Sequence, residues 1–258
     1  MVSFYHTGAH RRNPHFPVTR EENGRIPENR KKRRMGMKRY THLVWDFNGT
    51  ILDDVAYDVA VTNRLLERHG LPELKNADAY RAIFCFPVID YYRRLGFDFE
   101  KTPFPVLADE WMDDYNGGKE EAPLYEGVAE LLRAVRDCGI PQILLSATKK
   151  EMLLEQLQAF GIAGLFDEII GAGDHHAYGK SDLAKEWKKR NPEALPLMIG
   201  DTDHDAETAA AMGGDILLLT CGHQARPTLE KVGPLAIYPR AVDIPLGVYF
   251  PAFSAGKN

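Results

Sequence analysis

The sequence contains little cysteine and no long apolar run. Its three cysteines, Cys85, Cys138 and Cys221, are scattered, and no two of them have C-x-x-C spacing. This pattern argues against a disulfide framework and a zinc site, and it predicts a reducing, cytoplasmic location. No run approaches the ~18 apolar residues that a membrane span needs, so we expect no membrane partner.

Three well-defined sequence motifs are also absent. The chain has no G-x-G-x-x-G, no Walker A sequence and no G-x-S-x-G. The first two support nucleotide phosphates on glycine-rich loops, and the third exposes a nucleophilic serine. Nucleotide cofactors and serine hydrolases are therefore not leading interpretations.

Basic residues are concentrated in the first forty positions. The 258 residues have a net charge of −5. Residues 1–40 hold 11 lysines and arginines against 3 acids, a balance of +8, which leaves the remainder at −13. The acidic remainder argues against a nucleic-acid-binding core. We expect residues 1–40 to be a basic, disordered extension upstream of a start at Met37, in preference to a nucleic-acid or membrane tail or a transit peptide.

Short apolar runs alternate with amphipathic helical patterns from Thr41 onward. Because these runs are apolar throughout, they are typical of parallel strands covered on both faces. The alternation predicts an α/β fold with a doubly wound parallel sheet. The predicted strands are 42–47, 140–146, 167–170, 195–200 and 215–220.

One long segment interrupts the alternation. Residues 54–122 show helical patterns at 54–69, 77–84, 88–95 and 103–116, with no convincing strand. We expect a small all-helical cap inserted after the first strand, over the carboxyl ends of the sheet. The predicted organisation is a core of 41–53 and 123–240, a cap of 54–122 and a C-terminal tail of 241–258.

Polar side chains follow the predicted strands in order. Asp46 ends the first strand, Ser146 ends the second, Lys180 follows the third, and Asp201 and Asp205 follow the fourth. Taken singly, each residue is more often structural than catalytic. Carboxyl ends of parallel strands meet at one edge of a sheet, so we expect these side chains to converge. Carboxylates there are suited to nucleophilic attack or metal binding, and a lysine is suited to phosphoryl oxygens.

The order D-x-x-G-T…S…K…G-D-x-x-x-D resembles the haloacid dehalogenase superfamily, in particular its phosphoglycolate-phosphatase-like branch. The resemblance runs from about Thr41 to Thr220. It implies Mg²⁺-dependent hydrolysis of a small phosphorylated metabolite, with Asp46 as the nucleophile that forms an aspartyl-phosphate. It further implies that Mg²⁺ is held by Asp46, the backbone carbonyl of Asn48 and Asp201, with Asp205 supporting the site.

The same resemblance implies a set of phosphate contacts. Ser146 and Lys180 hold the phosphoryl oxygens, together with the backbone N–H of Ala147 and the turn at Gly49. Arg93, in the cap stretch FCFPVIDYYRR, is a candidate for contact with an acidic substrate. The alternative for Arg93 is an ordinary solvated helix face.

Asn48 departs from the family pattern, in which phosphatases have an aspartate that protonates the leaving alcohol and activates water. An amide cannot supply or remove a proton at neutral pH. We therefore expect weakened acid–base catalysis and a preference for aryl or acyl phosphates over alkyl phosphates. Deamidation at Asn48-Gly49 would restore an aspartate in part of a sample.

Two alternatives stay open. One is a catalytically weak paralogue that binds a phosphorylated ligand as a sensor. The other is a phosphonatase-type hydrolase, which needs a cap lysine, and the cap offers Lys75, Lys101 and Lys119 without a defining signature. A metal-independent dehalogenase is disfavoured by Asp201 and Asp205. Substrate identity and oligomeric state are not determined by the sequence.

Overall fold

The structure is a computed structural model that describes residues 40–118, 122–173 and 179–255. Except for Tyr40, the basic extension lies outside the described residues. So do Lys119, the segment 174–178 that precedes Gly179, and the last three residues of the predicted tail. No helix in the described ranges is long and apolar enough to cross a bilayer.

Six parallel strands form one sheet in the order β3-β2-β1-β4-β5-β6. This order confirms the predicted doubly wound α/β fold. The last strand was not predicted, because three partly buried residues at a sheet edge give too short a signal. The strands are β1 (His42–Trp45), β2 (Gln142–Lys149), β3 (Glu168–Ala172), β4 (Pro196–Gly200), β5 (Asp215–Leu219) and β6 (Ala236–Tyr238).

Helices separate the strands. Five of them lie between β1 and β2, and the first four, α1 to α4, fall at the predicted places and are called the helical segment below. The helices are α1 (Val55–Arg68), α2 (Ala77–Ile83), α3 (Val88–Leu95), α4 (Phe104–Gly118), α5 (Val128–Asp137), α6 (Lys150–Ala159), α7 (Lys180–Arg190), α8 (Asp203–Ala211), α9 (Arg226–Lys231), α10 (Leu246–Tyr249) and α11 (Pro251–Ala255).

Each face of the sheet is covered by its own hydrophobic layer. Leu43 and Trp45 of β1 pack into one layer with α5 and α6, and Val44 between them packs into the other with Trp187 of α7. Alternate side chains of a strand point to opposite faces, so a strand covered on both sides must be apolar at every position. This burial fixes β1 in the centre and carries Asp46 to the carboxyl edge.

The helical segment has a third hydrophobic cluster, whose buried members all lie between Val55 and Leu107. Asn76 caps α2 by accepting a hydrogen bond from Ala79 N at 2.9 Å. A separate hydrophobic cluster is consistent with an independent cap, although the division into core, cap and tail domains stays a prediction.

Candidate active site

Asp46 lies at the carboxyl edge of the sheet, directly after β1. Its backbone N–H donates to Ile199 O of β4 at 2.9 Å, so the β1–β4 pairing continues as far as this residue. The neighbouring strands β2 and β4 end at the same edge. Asp46 is therefore held on rigid backbone at the point where ligands bind in doubly wound sheets.

Lys180, the first residue of α7, reaches this edge as predicted. Its Nζ lies 2.6 Å from Asp46 Oδ1 and also donates to Asp205 Oδ1. All three side chains are buried. Burial alone would lower the pKa of Lys180, but the carboxylates of Asp205 and Asp46 outweigh it and raise that pKa, so the ammonium stays charged.

Asp201 follows β4 and is enclosed by two loops. Its Oδ1 accepts from Thr50 Oγ1 at 3.0 Å, and its Oδ2 accepts from His223 N at 2.7 Å. A Cβ at Gly49 (φ 70°) or Gly222 would clash with the Asp201 carboxylate, so both glycines permit this close approach. Burial raises the pKa of Asp201 to about 6.

Asp205 is oriented by the first turn of α8. Its Oδ2 accepts from Asp201 N at 3.0 Å, Thr202 N at 2.9 Å and Thr202 Oγ1 at 2.8 Å, completing a capping box. Burial raises the pKa of Asp205, but Lys180 and these donors outweigh burial and lower it. Asp205 is therefore a fixed anion that holds Lys180 beside Asp46.

Asp46, Asp201 and Asp205 offer carboxylate oxygens within 4.8 Å of one another. We call these three acids and Lys180 the strand-tip cluster. Hard oxygen ligands of this kind suit Mg²⁺, and three carboxylates against one ammonium leave negative charge for a divalent cation to neutralise. Burial and the nearby Asp205 raise the pKa of Asp46, although the adjacent Lys180 opposes this shift.

Asn48 faces the same edge, with its side-chain polar atoms bonded to protein. Its Nδ2 donates to Asp54 Oδ2 at 2.6 Å and to Tyr115 OH at 3.2 Å. Its Oδ1 accepts from Thr148 Oγ1 at 3.1 Å. The Thr148 hydroxyl is thus not a helix cap. The spacing of Thr148 and Glu151 in the sequence predicts a capping box, and this prediction is wrong, because β2 continues to Lys149 and α6 begins only after it.

Three other predicted contact residues have mixed outcomes. Ser146 is buried within β2, and its Oγ accepts from Thr148 N at 3.1 Å, while Ala147 beside it is exposed at the edge. The Gly49 N–H donates to Asp54 Oδ1 at 2.8 Å and to Leu52 O at 3.0 Å. A phosphate contact through that N–H therefore gains no support, and the roles of all three residues stay predictions.

Arg93 is not among the residues that surround Asp46. It pairs with Asp90 of its own helix, and its guanidinium carbon lies 5.4 Å from the centre of the Phe99 ring. The side chain is 56% exposed. These contacts correspond to the solvated-face alternative, and they give no support to a substrate contact by Arg93.

A second buried cluster, which the sequence prediction did not include, lies beside the first. His223 Nε2 is 3.2 Å from Asp54 Oδ1, and its Nδ1 is 2.9 Å from Tyr80 OH and 3.7 Å from Asp58 Oδ2. We call Asp54, Asp58 and His223 the cap-side cluster, because its two acids lie at the start of the helical segment. Burial lowers the pKa of His223, but Asp54 outweighs this effect and raises it to about 10.

Arg81 of α2 connects the helical segment to the same loop. Its Nε donates to Gly222 O at 2.7 Å and its Nη2 to Cys221 O at 2.6 Å. The loop Cys221–His223 thus contacts Arg81 through its carbonyls and Asp201 through the His223 N–H. Nothing in the sequence of this loop identifies Arg81 or Asp54 as its partners.

The comparisons with known proteins agree with this geometry. The family model described as haloacid dehalogenase-like hydrolase matches residues 43–219, more than half of the chain. This stretch begins in β1 and ends in β5, so it contains the complete strand-tip cluster.

Individual relatives carry two kinds of name. A phosphoglycolate phosphatase from Rhodobacter capsulatus is 27% identical over 193 residues, covering 72% of this chain and 86% of the relative. A protein named tyrosine-protein kinase PtkA from Mycobacterium tuberculosis is 26% identical over 200 residues, covering 76% of this chain and 67% of the relative. The crystal structure of a predicted phosphatase from Clostridium acetobutylicum superposes with a TM-score of 0.65 at 21% identity, covering 80% of this chain and 96% of the other, which shows a shared fold.

Proposed function

The chain belongs to the haloacid dehalogenase-like hydrolase family, and we propose that it is a magnesium-dependent phosphoric monoester hydrolase of small phosphorylated metabolites. The observation that carries the proposal is the position of Lys180 Nζ, 2.6 Å from Asp46 Oδ1 at the carboxyl edge of the sheet. The similarity to phosphoglycolate phosphatases supports the phosphatase-like class.

Asp46 is the proposed nucleophile. Its Oδ1 is held by Lys180, while its Oδ2 accepts no hydrogen bond from the described residues, so Oδ2 is the oxygen available to attack phosphorus. Attack forms the bond between Oδ2 and phosphorus and breaks the bond from phosphorus to the leaving oxygen. Water then attacks phosphorus, releasing inorganic phosphate and the Asp46 carboxylate.

The other residues bind and orient the reacting group. The Lys180 ammonium is positioned to neutralise charge on the phosphoryl oxygens, and the Ser146 hydroxyl and Ala147 N–H are proposed as further donors. Asp46, Asp201 and the backbone carbonyl of Asn48 would hold Mg²⁺, with Asp205 in support. When bound, the ion supplies positive charge that offsets the clustered carboxylates and the phosphoryl group.

Asn48 is proposed to limit the substrate range. General acid–base catalysis contributes about 10²–10⁴-fold, and an amide at this position cannot provide it. Aryl and acyl phosphates, whose leaving oxygens need no proton, are therefore the preferred class. Alkyl phosphates are expected to react more slowly by about the same factor.

Turnover of an aryl phosphate with Mg²⁺ tests the proposal. The unaltered chain should hydrolyse p-nitrophenyl phosphate with a burst of nitrophenol followed by a slower steady rate, and Asp46→Asn should abolish both phases. Asp109→Asn, a matched change at an exposed position of α4, should leave both phases unchanged. Equal rates for aryl and alkyl phosphates would contradict the role given to Asn48.

A phosphate-binding sensor is the second candidate, favoured by the engagement of every polar side-chain atom of Asn48 with protein. It predicts phosphate binding without turnover, and no loss of turnover in Asp46→Asn. The kinase name of one relative adds a direct assay, phosphoryl transfer from ATP to a tyrosine-containing peptide. A phosphonatase is less supported, because Lys75 and Lys101 are exposed and Lys119 lies outside the described residues.

A further inference from the structure

Asp54 contacts the residue at which this chain departs from its family. We infer that Asp54 is a positioning residue that locks the Asn48 amide in one orientation, so that the site is built for an amide and not for a carboxylate at position 48. The inference deepens the proposed function and rests on it, because it determines which leaving groups the site can serve.

The Asp54 carboxylate does not cap the helix that it precedes. Asp54 occupies the N-cap position of α1, where an aspartate normally accepts from the helix N–H groups, yet its side chain makes no capping hydrogen bond. Its Oδ2 instead accepts from Asn48 Nδ2 at 2.6 Å, and its Oδ1 accepts from Gly49 N at 2.8 Å. His223 Nε2 lies 3.2 Å from the same Oδ1. Asp54 is 1% exposed, so water does not replace these partners.

These contacts determine which way the amide points. An ionised carboxylate only accepts hydrogen bonds, so the Asn48 nitrogen and not its oxygen must face Asp54. The second N–H is then directed to Tyr115 OH, and the oxygen faces the donating Thr148 hydroxyl. Both N–H groups are thereby used. Asn48 has none left for the leaving oxygen of a substrate.

A carboxylate at position 48 would oppose this arrangement. In Asn48→Asp, an oxygen would lie close to Asp54 Oδ2 with no hydrogen between them, and two buried like charges would repel. Combining Asp54→Asn with Asn48→Asp exchanges the two groups, so that the carboxylate lies at position 48 and the amide at position 54. The new amide nitrogen donates to the carboxylate at position 48, and its oxygen still accepts from Gly49 N and His223. The Thr148 and Tyr115 hydroxyls are able to donate to that carboxylate.

Thermal unfolding of four proteins tests the pairing without any need for turnover. The proteins are the unaltered chain, Asn48→Asp, Asp54→Asn and the double variant. We expect Asp54→Asn to lower Tm in the native background and to raise it by at least about 4 °C in the Asn48→Asp background. Equal shifts in the two backgrounds would overturn the inference.

Asp58→Asn is the matched control. Asp58 is a buried acid of the same cluster but forms no described hydrogen bond with Asn48. In the Asn48→Asp background it should produce no rescue. A rescue equal to that of Asp54→Asn would show a general effect of removing negative charge and would refute the specific pairing. Intact mass of the unaltered chain must exclude deamidated Asn48.

The kinetic readout concerns the leaving group. We expect the ratio of kcat/KM for an alkyl phosphate to that for an aryl phosphate to rise at least about tenfold in the double variant and to stay low in Asn48→Asp alone. A ratio restored by Asn48→Asp alone would contradict the inference. Absence of any aryl phosphate turnover in the unaltered chain would count against the proposed function, while the thermal experiment would still decide the pairing.

Discussion

Two buried clusters of acids lie side by side in this protein, and each contains a single cation. In the strand-tip cluster, Lys180 contacts Asp46 and Asp205, and Asp201 brings a third carboxylate within reach. In the cap-side cluster, His223 lies between Asp54 and Asp58. The two clusters are in contact where the backbone N–H of His223 donates a hydrogen bond to Asp201 Oδ2.

The difference between them lies in how completely the charge is balanced. Three carboxylates against one ammonium leave the strand-tip cluster with room for a divalent cation. In the cap-side cluster two carboxylates face one imidazole, whose pKa rises to about 10 beside Asp54, so the excess of negative charge is smaller by one. We therefore propose different tasks for two clusters of similar composition, metal binding in the strand-tip cluster and attachment of the helical segment in the cap-side cluster.

Replacement of Lys180, the cation of the strand-tip cluster, should have the largest effect on stability. Lys180→Met should lower the free energy of unfolding by about 3–5 kcal/mol, because it leaves the buried carboxylates of Asp46 and Asp205 without their cationic partner. Urea denaturation measures this change, and added Mg²⁺ should recover part of it. Lys185→Met, an exposed change in the same helix, should cost less than about 0.5 kcal/mol. A loss at Lys180 as small as that control would remove the distinction between the clusters.

Replacement of His223, the cation of the cap-side cluster, should destabilise the protein less than replacement of Lys180. His223→Gln is expected to lower the free energy of unfolding by about 2–3 kcal/mol, because the charged hydrogen bond to Asp54 is lost while Asp58 is able to carry a proton. The same denaturation experiment measures it, without a required response to Mg²⁺. A loss larger than that of Lys180→Met would reverse the ranking of the two clusters.

Metal binding should separate the clusters directly. At ten times its dissociation constant, Mg²⁺ should stabilise the unaltered chain by about 1.4 kcal/mol, because an ion that binds the folded state alone shifts the equilibrium by mass action. Calorimetry should show this binding lost in Asp201→Asn and kept in Asp58→Asn. Loss of Mg²⁺ binding in Asp58→Asn with retention in Asp201→Asn would place the ion in the cap-side cluster and contradict the prediction.

The smallest expected effect concerns the attachment of the helical segment. Arg81→Lys should cost about 1 kcal/mol of stability, since one ammonium does not reproduce the two-pronged contact with Gly222 O and Cys221 O. Arg93→Lys, at an exposed position of the next helix, should change neither stability nor kcat/KM. A fall in kcat/KM for Arg93→Lys would restore Arg93 as a substrate contact.

The sequence predicted the strand-tip cluster because its geometry follows from strand order alone. Asp46 and Asp201 each come directly after a buried strand, and parallel strands bring such positions to one edge. The cap-side cluster is different. His223 meets Asp58 through a loop and an inserted helix, whose relative positions no local periodicity encodes. Thr148 shows the same limit, because its local sequence favoured a helix cap, whereas pairing of Lys149 with Ala172 extends β2 past it.

The backbone of Cys221–His223 contacts both the helical segment and the strand-tip cluster. Its carbonyl groups accept hydrogen bonds from Arg81 of the helical segment, and the backbone N–H of His223 donates to the carboxylate of Asp201, which is proposed to bind magnesium. Any displacement of α2 relative to the sheet would therefore be transmitted through this loop to the hydrogen bond that orients Asp201.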